Sequence, residues 1–111
     1  MLMTAIDEIL TNATLNASGR SREFEKGWAE QLLLHIKARG FAGSSPTLTV
    51  QLQSSPDKIV WDNIESSVTL TAAGQNIIPS TNFGRYVRVV YTLGGGSPVI
   101  SGVDIKMQCK G

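Results

Sequence analysis

Three stretches of the chain alternate apolar and polar residues with a period of two, the mark of strands buried on one face. In "TLTVQLQ", Leu48, Val50 and Leu52 point one way while Thr47, Thr49, Gln51 and Gln53 point the other. In "RYVRVVYTL", Val87, Val89, Tyr91 and Leu93 share a face, and Tyr86, Arg88, Val90 and Thr92 share the opposite one. The closing "VISGVDIKMQC" places Val99, Val103, Ile105, Met107 and Cys109 inward, with Asp104, Lys106 and Gln108 outward. Weaker strands are predicted at "KIVWD" (58–62), "SVTLT" (67–71) and "QNIIP", where Pro79 marks a strand end because it cannot donate to a ladder. "SSPD" reads as a turn in which Asp57 bonds back to the backbone. "AGSSP" and "GGGSP" read as loops, with Gly94 to Gly96 reversing the chain into the closing strand.

The stretch 21–40 carries both periods. Phe24, Trp28 and Leu32 are spaced as on a helix, and its residues are good helix formers; read in twos, Leu32, Leu34, Ile36 and Ala38 alternate with Gln31, Leu33, His35 and Lys37. Gly27 disfavours a continuous helix. Between neighbouring strands, the stretch is read as two strands meeting near Gly27 to Ala29. The first residues, 1–12, are read as an arm, a short helix or an edge strand. The whole predicts an all-β fold: an antiparallel β-sandwich or jelly roll, one domain over residues 1–111, with a flexible or edge-strand N-terminal segment.

Composition narrows the function classes. The chain has 111 residues, ten basic and nine acidic, so nothing drives binding to nucleic acid or an anionic membrane surface. The opening "MLMTAIDEIL" lacks a basic flank and is interrupted by Asp7 and Glu8, which does not fit a secretory signal. No apolar run approaches the ~20 residues of a membrane helix. These features predict a soluble protein without direct nucleic-acid or membrane contacts.

Candidate chemistry is sparse. His35 is the one histidine and falls opposite Leu32, Leu34 and Ile36, a partly exposed sheet position. Cys109 is the one cysteine and reads as a small core residue. One histidine and one cysteine do not make a zinc site. The carboxylates are scattered, and "GGG" at 94–96 lacks the Lys-Ser/Thr of a phosphate loop. The expectation is no enzyme, no cofactor and no metal. Trp61, in step with Ile59, is expected in the core or half-buried; a sugar platform is the sharper alternative.

From Ser45 onward, "SPTLTVQLQSSPDKIVWDNI", "SSVTLTAAGQN" and "FGRYVRVVYTLGGGSPVISGVDIKM" resemble a family of small virion proteins of tailed bacteriophages, the jelly-roll capsid decoration, or cement, proteins. The resemblance implies a homo-oligomer, a trimer rather than a dimer, on the outer head shell, assembled in the host cytoplasm. Its implied partner is the major capsid protein, whose neighbouring subunits it clamps. Arg88 and Tyr86, with the loops around Phe41 and Phe83, are the expected contact points. Gln53, Ser55, Asp57, Trp61 and Arg85 to Val89 also resemble discoidin-type galactose-binding-like domains, which leaves a carbohydrate-binding module of a tail or fibre as the alternative.

Overall fold

The computed structural model describes residues 4–111. The described residues are built from strands: β1 Thr4–Leu15, β2 Gly19–Arg20, β3 Phe24–Glu25, β4 Gln31–Ala38, β5 Gly40–Ser55, β6 Asp62–Leu70, β7 Gly74–Ser80 and β8 Tyr86–Lys110. All pairings between them are antiparallel. The all-β expectation holds, and residues 22–38 form two strands, β3 and β4, separated by a turn at Gly27–Trp28, rather than a helix.

The frame is a long ribbon. β4 and β5 pair end to end with β8, from Gln31 opposite Lys110, through Gly40 opposite Ser101, to Ser55 opposite Tyr86. The segments β1, β2 and β3 follow the other edge of β8, while β6 and β7 follow β5 and β4. The ribbon folds across its middle into two half-sheets. The first holds β6, β5, the N-terminal part of β8, and β2 with β3; the second holds β7, β4, the C-terminal part of β8, and β1. Along the sequence the chain alternates between the halves, β1 in the second, β2 and β3 in the first, β4 in the second, β5 in the first, and then returns through β6, β7 and β8. The result is one antiparallel sheet of eight strands in a nearly closed, barrel-like arrangement. Leu34, Ile36, Leu48, Val50, Leu52, Val87, Val89, Ile100, Ile105 and Met107, contributed by both halves, are fully buried in one core. Each contributes roughly 1.5–3 kcal/mol by leaving water.

The fold at the ribbon's middle explains where the simple alternation fails. Val99 was expected inward but is exposed, and Ile100 is buried instead. Gly102 adopts φ +61°, an inserted bulge residue that shifts the side-chain parity between Ile100 and Val103. Opposite it, Arg39 sits between β4 and β5, donates its backbone N–H to Ser101 O at 3.1 Å, and donates Nη1 to Gly102 O at 2.7 Å.

"AGSSP" and "GGGSP" also depart from the reading as loops. They lie in β5 and β8 and face each other, Ser44 opposite Gly96 and Thr47 opposite Gly94, with register shifts on either side of Ser44. The glycines do not reverse the chain. Gly95 has φ +98°, and a Cβ there would lie 2.5 Å from the carbonyl oxygens of Ser44 and Ser45. Their conformational freedom serves a bulged, tightly approached ribbon rather than a turn.

Of the expected N-terminal arm over 1–12, residues 1–3 lie outside the described residues, and the remainder is an edge strand paired with the end of β8. A charged contact with β1 is buried on one side. The Lys26 ammonium, buried between Phe24 and Trp28, meets the Asp7 carboxylate at 2.5 Å. Pro79 is the penultimate residue of β7, at the strand end as its missing donor predicts, and β7 is an edge strand, where proline is tolerated.

Two stability changes follow. Gly102→Ala forces a non-glycine residue into the left-handed region with its Cβ 2.8 Å from that of Arg39. It is expected to lower the unfolding free energy by about 1–3 kcal/mol, read as a lower urea midpoint at unchanged slope. Asp7→Ala leaves the Lys26 charge buried and unpaired, and because Asp7 is itself partly exposed the expected loss is about 2 kcal/mol. Asp7→Ala with Lys26→Met is expected to recover most of it in the same titration.

Candidate interaction surface

The strand pairing sets the outward side chains of the first half-sheet in rows. Gln53 on β5 stands opposite Arg88 on β8 and Asn63 on β6. Arg88 Nε donates to Gln53 Oε1 at 2.7 Å, and Gln53 Nε2 donates to Asn63 Oδ1 at 2.8 Å. The row is therefore a hydrogen-bonded line across three strands. The Arg88 guanidinium also lies 4.2 Å from the centroid of Trp61, a cation–π stack. Partial burial and the nearby Arg20 charge lower the Arg88 pKa, yet a guanidinium stays a cation at neutral pH. Among the described residues its one hydrogen-bond partner engages Nε. Its terminal nitrogens have no hydrogen-bond partner among the described residues.

Trp61 reaches this face because the segment before it is not a strand. "KIVWD" was expected to be one; it is a series of bends, and β6 begins only at Asp62. The side chains of Ser55 and Asp57 take up the N–H groups that a ladder would need. Ser55 Oγ accepts from the backbone N of Lys58 at 2.9 Å, and Asp57 Oδ1 accepts from those of Ile59 and Val60 at 2.9 and 3.1 Å. The bond-back from Asp57 is the one the turn signal predicts. Trp61 closes the loop by donating Nε1 to Lys58 O at 3.2 Å. Trp61 is half-buried, in agreement with the sequence reading, whereas Ile59, of the same parity, is 81% exposed and Val60 58% exposed. Two aliphatic side chains thus stand in solvent at the tip of a hydrogen-bonded loop.

The four expected contact residues separate. Arg88 and Tyr86 share the outer face, the latter half-buried beneath Lys58, whose Nζ lies 4.8 Å from the ring centroid. Phe83 lies in the loop that leads into β8; that loop is tied to β5 where Gly84 N donates to Ser54 Oγ at 2.6 Å. Phe41 sits far along the ribbon, opposite Ile100. Phe41 and Phe83 both pack partly against the core, which commits much of their surface to folding. Gln53, Asn63 and the Ile59–Val60 tip join Arg88 and Tyr86 without having been singled out in the sequence. The outward parity of Gln53 was legible, but its register with Arg88 was not.

The second half-sheet has its own outer face. A shallow groove of about 750 Å³ runs over it, lined by Ile6, His35, Lys37, Gln75, Ile77 and Lys106 among others. His35 is exposed here, as its parity implies. Cys109 is fully buried, and burial raises its thiol pKa. Among the described residues no group of three or more His, Cys, Asp or Glu is placed to hold a metal ion.

The Asp57 hydrogen bonds hold its pKa below the ordinary value of 3.8, those from Ile59 and Val60 first. A depressed carboxyl pKa stabilises the fold above the unfolded-state value, and that contribution disappears as pH falls through the folded-state value. Asp57→Ala is therefore expected to speed amide exchange at Ile59 and Val60 at neutral pH while core amides stay protected. In the parent protein, the same two amides are expected to lose protection only below about pH 4, measured by exchange at stepped pH.

The match to known families falls on the part of the chain that builds this face. No curated protein matches the chain. Among solved structures, "Crystal structure of SPBc2 prophage-derived protein YomS" is similar at a TM-score of 0.47 and 10% identity, covering 100% of this chain and 96% of that one. A family model described as "Domain of unknown function (DUF6385)" matches residues 42–109, from within β5 almost to the end of β8, and the chain belongs to that family.

Proposed function

We propose that the protein is a capsid decoration protein of a tailed bacteriophage, which adheres to the outer head shell and braces contacts between major capsid subunits. The observation that carries the reading is the outer face of the first half-sheet, where Arg88 is fixed between Gln53 and Trp61 beside Tyr86. Arginine, tryptophan and tyrosine are the side chains that dominate protein–protein contacts, and they contribute most when held in place before binding. An arginine held at Nε, with its terminal nitrogens unpaired among the described residues, suits a carboxylate or backbone carbonyls on a protein surface. The resemblance of the chain from Ser45 to its end to phage virion proteins favours a capsid shell as that surface. Adhesion needs no reaction, and many copies on one shell add modest contacts through multivalency. In this reading the protein acts as no enzyme and takes no cofactor.

A second reading has support in the same row. Asn63, Gln53 and Arg88 form a planar polar line beside Trp61, a composition that also suits a sugar ring in a tail or fibre module. Against it, Arg88 already covers a face of the Trp61 ring.

Heads that lack the protein, from the phage or prophage that encodes it, provide the test. Added purified protein is expected to co-sediment with them and to raise the temperature at which packaged DNA escapes. Arg88→Ala with Trp61→Ala is expected to weaken binding by about 30-fold or more, the scale of a central contact residue. Absence of co-sedimentation, together with glycan-array binding lost in the same variant, would transfer the assignment to the carbohydrate module.

A further inference from the structure

We infer that copies of this chain associate head to tail, the Ile59–Val60 tip of one seating in the groove between Ile6 and Ile77 of the next. The groove lies on the other half-sheet from the Arg88 row, whereas the tip belongs to the loop that carries Trp61 and borders that row; the contact does not rest on the shell-binding reading. The tip is convex and apolar, and its hydrogen-bonded base keeps Ile59 and Val60 projecting. The groove is concave and carries exposed apolar side chains of its own, Ile6 at 64% and Ile77 at 49%. The two isoleucines, on β1 and β7 with β8 and β4 between them, give the groove an apolar rim on either side.

Charge says what covers it. The tip is flanked by Asp57 and Asp62, with Glu65 beyond, against a single cation, Lys58, that folds back over Tyr86. Around the groove Lys37, Arg39 and Lys106 outnumber Asp104 and Glu8. Arg39 pairs with Asp104 at 2.7 Å, Lys106 with Glu8 at 3.9 Å, and Lys37 is in no ion pair among the described residues. An acid-flanked apolar knob and a base-rimmed apolar groove are complementary in shape, polarity and sign. They lie on different half-sheets, the tip at an end of the first and the groove on the outer face of the second. In the head-to-tail arrangement the contact joins two different patches and is heterologous, the kind that closes into a ring or runs on as a chain.

Mass measurement in solution tests this on the full chain. The unaltered protein is expected to run as a species larger than a monomer at about 100 µM, and to loosen at least tenfold as salt rises from about 50 to 500 mM. Val60→Asp and Ile77→Asp change exposed side chains, and circular dichroism is expected to show both folded. Each alone is expected to be monomeric. Mixed in equal amounts they are expected to form a one-to-one pair and nothing larger, because the intact tip of Ile77→Asp meets the intact groove of Val60→Asp. For a second readout, Val60→Cys and Ile77→Cys chains, mixed under mild oxidation, are expected to cross-link to each other and not to themselves. A monomeric parent protein, variants that still self-associate, or a mixture that fails to pair would each overturn the inference. Loss of head binding with self-association intact would leave this contact standing and remove only the shell reading.

Discussion

The structure depends on one constraint: a single long pairing, β4 and β5 against β8, must bend in the middle without losing register. Flat, the ribbon would expose one apolar face along its full length. Folded, it closes that face on itself, and Leu34 and Ile105 from one half meet the same core as Leu52 and Val89 from the other. The bend is produced by irregular backbone at matched positions, Gly102 beside Arg39 and the bulges around Ser44 and Gly95. Any residue other than glycine at Gly102 or Gly95 would meet a neighbour at much less than contact distance. The strands on either side, β1 to β3 and β6 to β7, inherit the bend by following the ribbon's edges.

Folding the ribbon also decides what is left for function. A sheet folded this way has an outer face on each half and loops at the ends. The inward residues are interchangeable aliphatics chosen for volume, whereas the outer faces are free to specialise. Here they have diverged. The first carries a stacked and hydrogen-bonded row built on Arg88; the second carries a groove with isoleucines and lysines. The loop between β5 and β6 adds a third feature, made by two short polar side chains that divert the backbone N–H groups from a ladder.

Much of this was legible from periodicity, and the failures have a common cause. Leu48, Val50 and Leu52, and later Val87 and Val89, alternate cleanly because those segments are regular and one-sided. Stretch 31–38 resolved to a strand because a helix there would scatter Leu32, Leu34 and Ile36 around its circumference. Val99 misled because the bulge at Gly102 reverses the parity, and a bulge leaves no mark on the alternation except a glycine. The same is true of Gly94 to Gly96, since a glycine run signals freedom of φ and not the use made of it. "KIVWD" misled because β-branched residues beside an Asp can serve equally as a strand or as an Asx-capped loop. Lys26 could not be read as buried, for its partner Asp7 is distant in sequence. The candidate surface was half legible: Arg88 and Tyr86 by parity, Gln53 and Asn63 only once the register was known.

The rigidity of the Arg88 row bears on how such a surface adheres. A free arginine on a sheet face gives up side-chain entropy when it binds, of order 0.5–1.5 kcal/mol. Arg88 has already given it up in folding, to Gln53 on one side and Trp61 on the other. Gln53 is in turn held by Asn63, and Trp61 by the carbonyl of Lys58. The order of the face is thus inherited from the β5–β8 register and from the Asp57 loop together. Shifting either would displace the guanidinium before any partner arrived. The surface is an extension of the core's own constraint: the bend that buries the aliphatic residues also fixes the positions from which the polar ones reach outward.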